Sequence, residues 1–518
     1  MSELFFVGDS IRHGETIDGR VLLSGKLNTE ERRGKIATRF GYAASADGNE
    51  IVFPTLESWR RLSDDLADNV VRYLQLRPGR DGLKIIEEYL SNTPIEQRHP
   101  DVTAFWAAVA REPPQDISAL PEHQKHIDAD YRPSLDASRQ PEPTLSAGQA
   151  VFWRYSAPLF SSFLHFSLAA GFSSDRLVGV LQQTGYLTHH NRDACFRRLL
   201  ETTQFILDAM LDMRPASSDG TFPGGQGWRS SVKVRLLHAQ VRVKILSGLG
   251  KATTYDREAD GIPINQEDLC ATLGSFAIAP LWVCRKHGMS LTPAEELAYL
   301  AAWRHIGFYL GIDQDKLSRH FSSLNSAEKA FASMSFHLFT EPAASRSLET
   351  NSTYKILSAV SNRAPDYKPV EYNCEISRTQ IGHELADTLG LPRGDWKCKL
   401  AARYDRFSMR IFIQFGRYWR PGWDAERVSL FRLVIQCIVA WQLGSRRTHF
   451  AMRDPSNYEK ELTDTDGSEP TEVVLGAEAG RSIKSRFKWL VAEMAGVFVG
   501  IGLLGGFTCY RLYTFATL

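Results

Sequence analysis

The sequence predicts an all-α protein that carries a membrane-anchor helix near its C-terminus. From Gly148 onward, apolar residues recur mainly at the three- and four-residue spacing of amphipathic helices. Few windows alternate with a period of two, so a large sheet is not expected. Met494 to Tyr510 is an apolar run of 17 residues without a charge. That length is close to the shortest helix, roughly 17 residues, that spans a bilayer.

Composition excludes several classes of protein. The chain has 518 residues, 61 of them Lys or Arg and 60 Asp or Glu, so a net charge of +1 offers no basic footprint for nucleic acid. Its seven cysteines are odd in number and contain no CxxC pair. This pattern argues against a disulfide framework and against a cysteine zinc site, and it fits a reducing compartment. The first ten residues lack a basic region followed by a long apolar run, so we expect no cleavable signal peptide.

Residues 1–145 are expected to form an N-terminal extension with short helices. Residues 1–55 are polar and weakly periodic, whereas 58–76 has its apolar residues on one side and predicts an amphipathic helix. Short helical patterns follow near 81–91 and 101–111. Residues 112–146 are rich in Pro, Asp and Gln, which predicts a loop.

Residues 146–450 are expected to form the main helical domain. Helix starts are indicated at Asn265 and at Thr292, which precedes a proline and two glutamates. Pro280 should kink the helix that contains it. The predicted helices lie near 148–170, 175–184, 192–212, 229–248, 266–287, 293–311, 326–338, 371–389 and 425–443.

Residues 451–480 form an acidic linker, and 481–518 combine a basic flank with the predicted transmembrane helix. The flank contains Arg481, Lys484, Arg486 and Lys488, which predicts that the main body faces the cytosol. The expected localisation is therefore membrane-anchored, with the endoplasmic reticulum as a candidate membrane. A buried terminal helix is the alternative. Two GxxxG pairs could join two such helices in a homodimer: Gly496 with Gly500, and Gly502 with Gly506.

The most informative stretch runs from Gly227 to Arg242. Read as a helix, it places Arg235, His238 and Arg242 at i, i+3 and i+7, on one face that also carries Leu237 and Val241. An imidazole between two guanidinium groups on an apolar helix suits a haem, with His on the iron and Arg on the propionates. The alternatives are a hydrogen-bonded core histidine and arginines that are solvated or paired with nearby carboxylates.

The spacing Arg235-x-x-His238-x-x-x-Arg242 resembles the core motif of the latex-clearing protein family, which includes the membrane-bound oxygenase of mycophenolic acid biosynthesis. The resemblance covers roughly 146–395 and implies a globin-like multi-helix core that binds haem b. It implies His238 as the iron ligand and Arg235 and Arg242 at the propionates. Further matching motifs are Arg198-Leu-Leu-Glu201-Thr202, Gly261 to Leu269, Trp303 to Gly307, and Ile376-Ser377-Arg378, which is similar to the closing motif of fungal members.

The resemblance also implies an activity. It suggests a haem-dependent oxygenase of secondary metabolism that cleaves a C=C bond of an apolar, isoprenoid-derived substrate with dioxygen. Arg198, Glu201 and Thr202 are the catalytic candidates, on a helix expected across the distal face. Latex-clearing proteins carry a lysine at the position where this chain has Glu201. They also carry an acid on the preceding helix, whereas the corresponding residues 178–184 of this chain include no acid. A member without activity that binds haem or a lipid is therefore an alternative.

A competing motif lies near the N-terminus. Arg12-His13-Gly14 within Ile11 to Thr16 resembles the opening of the histidine phosphatases, whose histidine accepts a phosphoryl group. The preceding residues make a poor buried strand, and the helical remainder cannot supply the α/β sheet that such enzymes need.

Overall fold

Helices build the body of the chain, as the all-α prediction requires. The computed structural model describes residues 4–6, 16–17, 20–23, 36–39, 42–45, 51, 53–117, 144–172, 174–183, 192–217, 221–248, 255–289, 291–338, 351–448, 450, 452 and 476–516. From residue 53 onward, the elements within these ranges are helices. His13, the residue on which the phosphatase alternative depends, lies outside the described residues.

A small five-stranded sheet precedes the helices. Its strands are β1 (Leu4–Phe6), β2 (Thr16–Ile17), β3 (Arg20–Leu23), β4 (Ile36–Arg39) and β5 (Tyr42–Ser45). Their order is β1-β5-β4-β3-β2; β3 and β4 pair in parallel, and the other neighbours are antiparallel. The sequence predicted no large sheet, and its periodicity did not indicate this small one.

The predicted helix over 58–76 is two helices. The chain turns at Leu62 to Asp64, and the Asp64 side chain accepts a hydrogen bond from the Ala67 amide to start the second helix. The four N-terminal helices are α1 (Phe53–Arg60), α2 (Asp65–Tyr73), α3 (Gly82–Asn92) and α4 (Pro100–Val109), with a 3₁₀ turn at Ile95–Gln97 between the last two.

The central helices begin at α5 (Leu145–Arg154) and α6 (Ser156–Ser162), which continues through a π-helical segment (Phe163–Leu168) into α7 (Ala169–Gly171). Both predicted helix starts are confirmed, because Asn265 and Thr292 each form a capping box. The next helices are α8 (Asp175–Gln183), α9 (Arg192–Ala209), α10 (Gln226–Leu246), α11 (Arg257–Asp260), α12 (Gln266–Ala277), α13 (Ala279–Lys286) and α14 (Pro293–Tyr309).

Two interruptions divide helices that the sequence suggests are continuous. The Pro280 kink is confirmed as the break between α12 and α13. Gly382, with a φ of +93°, separates two helices in the predicted 371–389 segment. The remaining elements are α15 (Gln314–His320), α16 (Leu324–Leu338), α17 (Ser352–Val360), α18 (Val370–Ile381), α19 (His383–Thr388), α20 (Trp396–Tyr418), α21 (Pro421–Gln442) and α22 (Ala477–Ala516).

The C-terminal helix α22 is part docked and part exposed. Phe487 stacks on Phe412 of α20, and the Trp423 indole of α21 donates to the Leu490 carbonyl at 3.2 Å. Two described stretches are long and apolar enough to cross a membrane. Gln266–Lys286 is 89% buried in the body, whereas Glu478–Leu504 is only 6% buried. The exposed stretch is therefore the candidate anchor. Gly496, Gly500 and Gly502 have open space beside them, and the GxxxG homodimer stays a prediction.

Helices α5 and α14 approach so closely that Gly148 is required at their contact. A Cβ atom at this position would lie 2.3 Å from the Ala298 carbonyl oxygen and 2.6 Å from the Ala302 Cβ. We expect Gly148→Ala to lower the free energy of unfolding by about 1–3 kcal/mol or more, because backbone on both sides must move. Thermal unfolding followed by circular dichroism measures this effect.

Gly179 provides the matched control, since a Cβ there would meet nothing within 4 Å and the residue also lies inside a helix. Gly179→Ala should leave stability unchanged or raise it by up to about 1 kcal/mol, as helix propensity dictates. Equal effects of the two substitutions would contradict the close α5–α14 contact.

Candidate functional site

A cavity of about 450 Å³ lies between α9, α10 and α12, with α8 and α16 also contributing to its wall. We refer to it as the central cavity. Its wall is mostly apolar: Phe166, Phe205, Leu237, Val241 and Phe276 all line it. A few polar side chains interrupt that wall. Four of them are candidate site residues from the sequence: Arg198, Glu201, Thr202 and His238. A cavity of this composition suits an apolar ligand held in place by a small number of polar contacts.

One stripe of α10 faces the central cavity. Val234, Leu237, His238 and Val241 line the wall, at the three- and four-residue spacing that keeps side chains on one side of a helix. Leu237 and Val241 are buried, and His238 keeps partial exposure because it borders the cavity. The predicted placement of His238 on a half-apolar helix face next to a ligand-sized space therefore agrees with the geometry.

The His238 imidazole is held neutral and has a nitrogen without a partner. Burial, followed by the positive charges of Arg242 and Arg198, lowers its pKa to about 3. Its Nδ1 atom is buried and has no hydrogen-bond partner. A neutral imidazole is the form that ligates a metal, and buried polar atoms without partners are rare in folded proteins. The neutral imidazole at the wall of an apolar cavity fits a residue that ligates a bound group.

Arg235 and Arg242 do not line the central cavity, and each is paired with a carboxylate, which was one of the alternatives left open by the sequence. Their contact with propionates stays a prediction. Arg235 forms two hydrogen bonds with Asp64, at 2.6 and 2.9 Å, and Arg242 donates to Asp68 at 2.8 Å. Arg242 also donates to the Ile264 carbonyl at 3.0 Å. The physical reason is helix geometry: both arginines lie on the stripe beside the one that carries Leu237 and Val241, and this neighbouring stripe faces α2.

Both ion pairs are buried, and the Nη2 atom of Arg242 has no hydrogen-bond partner among the described residues. Burial alone would raise the pKa of Asp64, but the adjacent Arg235 guanidinium outweighs it and lowers that pKa below its usual value. Arg235 also lies over the Phe105 ring, 5.3 Å from its centre. The two arginines therefore fix α10, the helix that carries His238, against the N-terminal helices.

Arg198, Glu201 and Thr202 of α9 do line the central cavity, as predicted. Arg198 donates to the Glu201 carboxylate at 2.8 Å, and the Thr202 hydroxyl donates to the Arg198 carbonyl at 3.0 Å. Among the described residues on the cavity wall, Arg198 is the one Lys or Arg, and Glu201 holds it.

Asp268 lines the central cavity, although its place in the sequence indicated only the start of a helix. Its carboxylate completes the capping box of α12 by accepting from the Asn265 amide at 3.2 Å, and it also borders the cavity. Burial, and then the neighbouring Glu267 charge, raises its pKa to about 7. The acidic first turn of α12 was the only signal of it in the sequence. A carboxyl group that titrates near neutrality beside an apolar cavity is a candidate for proton transfer.

The raised pKa of Asp268 predicts a pH dependence of stability. Between about pH 4 and pH 7, the unfolded chain releases this proton while the folded chain retains it, so stability falls as pH rises through this range. Asp268→Asn preserves the cap acceptor and removes the titration. The variant should therefore gain stability relative to wild type from pH 4 to pH 7, by an amount on the order of a few kcal/mol, and level off above pH 7.

Thermal unfolding of both chains across this pH range, in one detergent, measures the difference. Asp315→Asn is the matched control, because Asp315 is largely exposed and pairs with Arg319 on the surface. If the stability difference between wild type and the Asp268→Asn variant did not vary with pH, the Asp268 carboxyl would be ionised throughout.

The part of the chain that the structure describes has no group of three His, Cys, Asp or Glu side chains arranged to hold a bare metal ion. A haem requires one axial protein ligand, and His238 is a histidine on the cavity wall.

Comparisons with known proteins agree with the motifs. Residues 153–412 match the family described as ER-bound oxygenase mpaB/B'/Rubber oxygenase, catalytic domain. A solved structure, "Structure of Latex Clearing Protein LCP in the closed state", is similar with 18% sequence identity and a TM-score of 0.42, covering 72% of this chain and 91% of that one. No curated protein sequence matches the chain. The family match spans half of the chain and contains α9, α10 and α12, so this protein belongs to the family of ER-bound oxygenases mpaB/B' and rubber oxygenases.

Proposed function

We propose that the central cavity binds haem b through His238, and that the protein is a haem-dependent oxygenase of an apolar, isoprenoid-derived substrate. Family membership supports an oxygenase. The single observation that carries the cofactor assignment is the neutral His238 imidazole at the wall of an apolar cavity. When bound, haem supplies the dioxygen chemistry that cleaves a carbon–carbon double bond.

We assign the other roles at the site to residues of the chain itself. His238 holds the cofactor, and the ion pairs of Arg235 and Arg242 fix the helix on which it stands. Arg198 and Thr202 are polar residues of the cavity wall. Glu201 and Asp268 are the two acids that border the cavity, and the raised pKa of Asp268 suits it to take up or release a proton near neutral pH.

The cavity wall favours an apolar substrate because it excludes water and provides aromatic and aliphatic contacts. Phe166, Phe172, Leu199 and Phe331 add to this surface. An apolar chain would transfer into such a cavity at little desolvation cost, whereas a charged substrate would have to be stripped of water. The exposed apolar helix α22 would hold the body beside a membrane in which such substrates dissolve, with the body in the cytosol and the endoplasmic reticulum as the membrane.

Turnover under labelled dioxygen tests the activity. The full chain, expressed with ample haem supply, is incubated with a polyprenyl alcohol under ¹⁸O₂, and the carbonyl products are reduced at once to stop exchange with water. Cleavage of a C=C bond by both atoms of dioxygen places one ¹⁸O on each fragment. Unlabelled fragments, or none at all, would contradict an oxygenase of this substrate class.

The alternative of a haem-binding member without activity is favoured by one contact. Glu201 occupies the position where latex-clearing proteins carry a lysine, and it is held by Arg198 at 2.8 Å. A chain that binds haem yet consumes no oxygen with any polyprenyl substrate would support this alternative.

A further inference from the structure

Helix α20 presents a stripe of large apolar side chains to the outside of the molecule. Trp396, Leu400, Tyr404, Phe407 and Tyr418 are each between 59% and 77% exposed. Their spacing of four, four, three and eleven residues keeps all five on one side of the helix. We refer to these five residues as the α20 stripe. Large apolar residues scattered singly on a surface are ordinary, but a continuous stripe of five marks an interaction site.

The opposite side of α20 belongs to the body. Ala402 and Ile413 are buried there, so the stripe points away from the protein core. The charges on α20 have one dominant sign: it carries six basic residues and a single acid, Asp405. The basic residues are Lys397, Lys399, Arg403, Arg406, Arg410 and Arg417.

The C-terminal half of α20 packs beside the start of the charge-free run of α22. Phe412 stacks on Phe487, with ring centres 6.1 Å apart, and Phe415 lies 5.7 Å from Phe498. Phe498 is within the charge-free run that starts at Met494, so α20 contacts α22 near the start of that run.

We propose that the α20 stripe rests on the surface of a bilayer that contains anionic phospholipids, and so forms a second membrane contact beside the anchor. The proposal rests on the assignment of α22 as a membrane span. Aromatic and leucine side chains on one face, with Lys and Arg along the flanks, are typical of helices that lie in the membrane interface. Arg417 pairs with the buried Glu295, which leaves five basic residues on the outer part of α20. A second copy of the chain is a poorer occupant, because it would bring five further basic residues against these five, whereas an anionic surface complements them.

A full-length chain whose anchor is disabled isolates this contact. Val499 and Leu503 of α22 are more than 60% exposed and lie beyond the last docked side chain, so Val499→Lys with Leu503→Lys should prevent insertion without disturbing the body. This 518-residue variant is sedimented with vesicles of phosphatidylcholine alone or with added phosphatidylserine, at low and high salt. We expect binding to the phosphatidylserine vesicles that weakens with salt.

Adding Leu400→Glu and Phe407→Glu should reduce that binding by roughly tenfold or more, because two buried apolar contacts are lost and two like charges are introduced. The matched control adds Leu62→Glu and Ile95→Glu, which make the same kind of change at exposed apolar residues of the N-terminal helical region and should leave binding unchanged.

Three results would overturn the proposal: no vesicle binding by the anchor-disabled chain, equal loss in the stripe and control variants, or a stripe variant that binds vesicles normally but changes from dimer to monomer. The last result would assign the stripe to a second copy of the chain. Carbonate extraction of the wild-type chain from membranes tests the anchor separately. A wild-type chain that carbonate removes would refute the span, while vesicle binding still decides the role of the stripe.

Discussion

His238→Leu should yield a folded protein that purifies without haem. The imidazole is neutral, buried and without a partner at Nδ1, so its replacement by a side chain of similar size breaks no hydrogen bond at that atom. The change removes the histidine that the described part of the cavity wall offers as an axial ligand. Loss of a residue that merely orients a metal ligand weakens metal binding by roughly 10–100-fold, so loss of the ligand itself should exceed that range.

The matched control is the same substitution at another buried histidine. His305 also has a pKa lowered to about 3 by burial and the adjacent Arg304, and neither of its ring nitrogens has a partner, yet it does not line the central cavity. His305→Leu should retain the Soret absorbance per chain, while His238→Leu loses it, with equal far-ultraviolet circular dichroism. Full haem occupancy in His238→Leu would exclude this residue as the ligand.

Arg242→Met should be the most destabilising single change near the site. Both Arg242 and Asp68 are almost fully buried, so removal of one partner leaves an uncompensated charge in the protein interior. Such a change costs about 3–5 kcal/mol, whereas replacing both partners by apolar residues is often close to neutral. Asp68→Leu combined with Arg242→Met should therefore recover most of the lost stability.

Thermal unfolding of the two single variants and the double variant gives the coupling between these residues. This cycle also distinguishes the positioning role of Arg242 from a role at the cofactor. If Arg242 contacted a propionate, the single variant would lose haem affinity without a large drop in unfolding temperature, and the Asp68→Leu change would not compensate. That pattern would restore the propionate role expected from the sequence.

The sequence could predict the cavity side of the site because helix periodicity is local. Spacing alone placed His238 with Leu237 and Val241, whereas Arg198, Glu201 and Thr202 were implied by the resemblance to the latex-clearing family. The partners of Arg235 and Arg242 could not be predicted in the same way. Asp64 and Asp68 lie more than 170 residues away along the chain, and their approach depends on the packing of α2 against α10. In the sequence, the two arginines and the histidine therefore seemed to share one helix face. In the structure, a small rotation around the helix axis places His238 at the cavity and the two arginines against α2.

Helix α20 was not among the helices predicted from the sequence, for a physical reason. Its apolar residues lie on the outward face and are interspersed with six basic side chains, so the pattern does not resemble a helix that packs into a core. The break of the predicted 58–76 helix was missed because its apolar side continues across the turn, and only the Asp64 cap marks the new start. Features that face outward, or that depend on one polar contact, are the ones that periodicity does not reveal.

The central claim is that one haem b binds in the central cavity through His238. The most direct test is the absorption spectrum of the purified full chain after expression with ample haem, followed by extraction of the cofactor into pyridine and quantification as the haemochrome. A Soret band with close to one haem b per chain, lost in His238→Leu and retained in His305→Leu, is the predicted result. A chain that purifies folded but without a Soret band, and that does not acquire one when haem is added, would contradict the account.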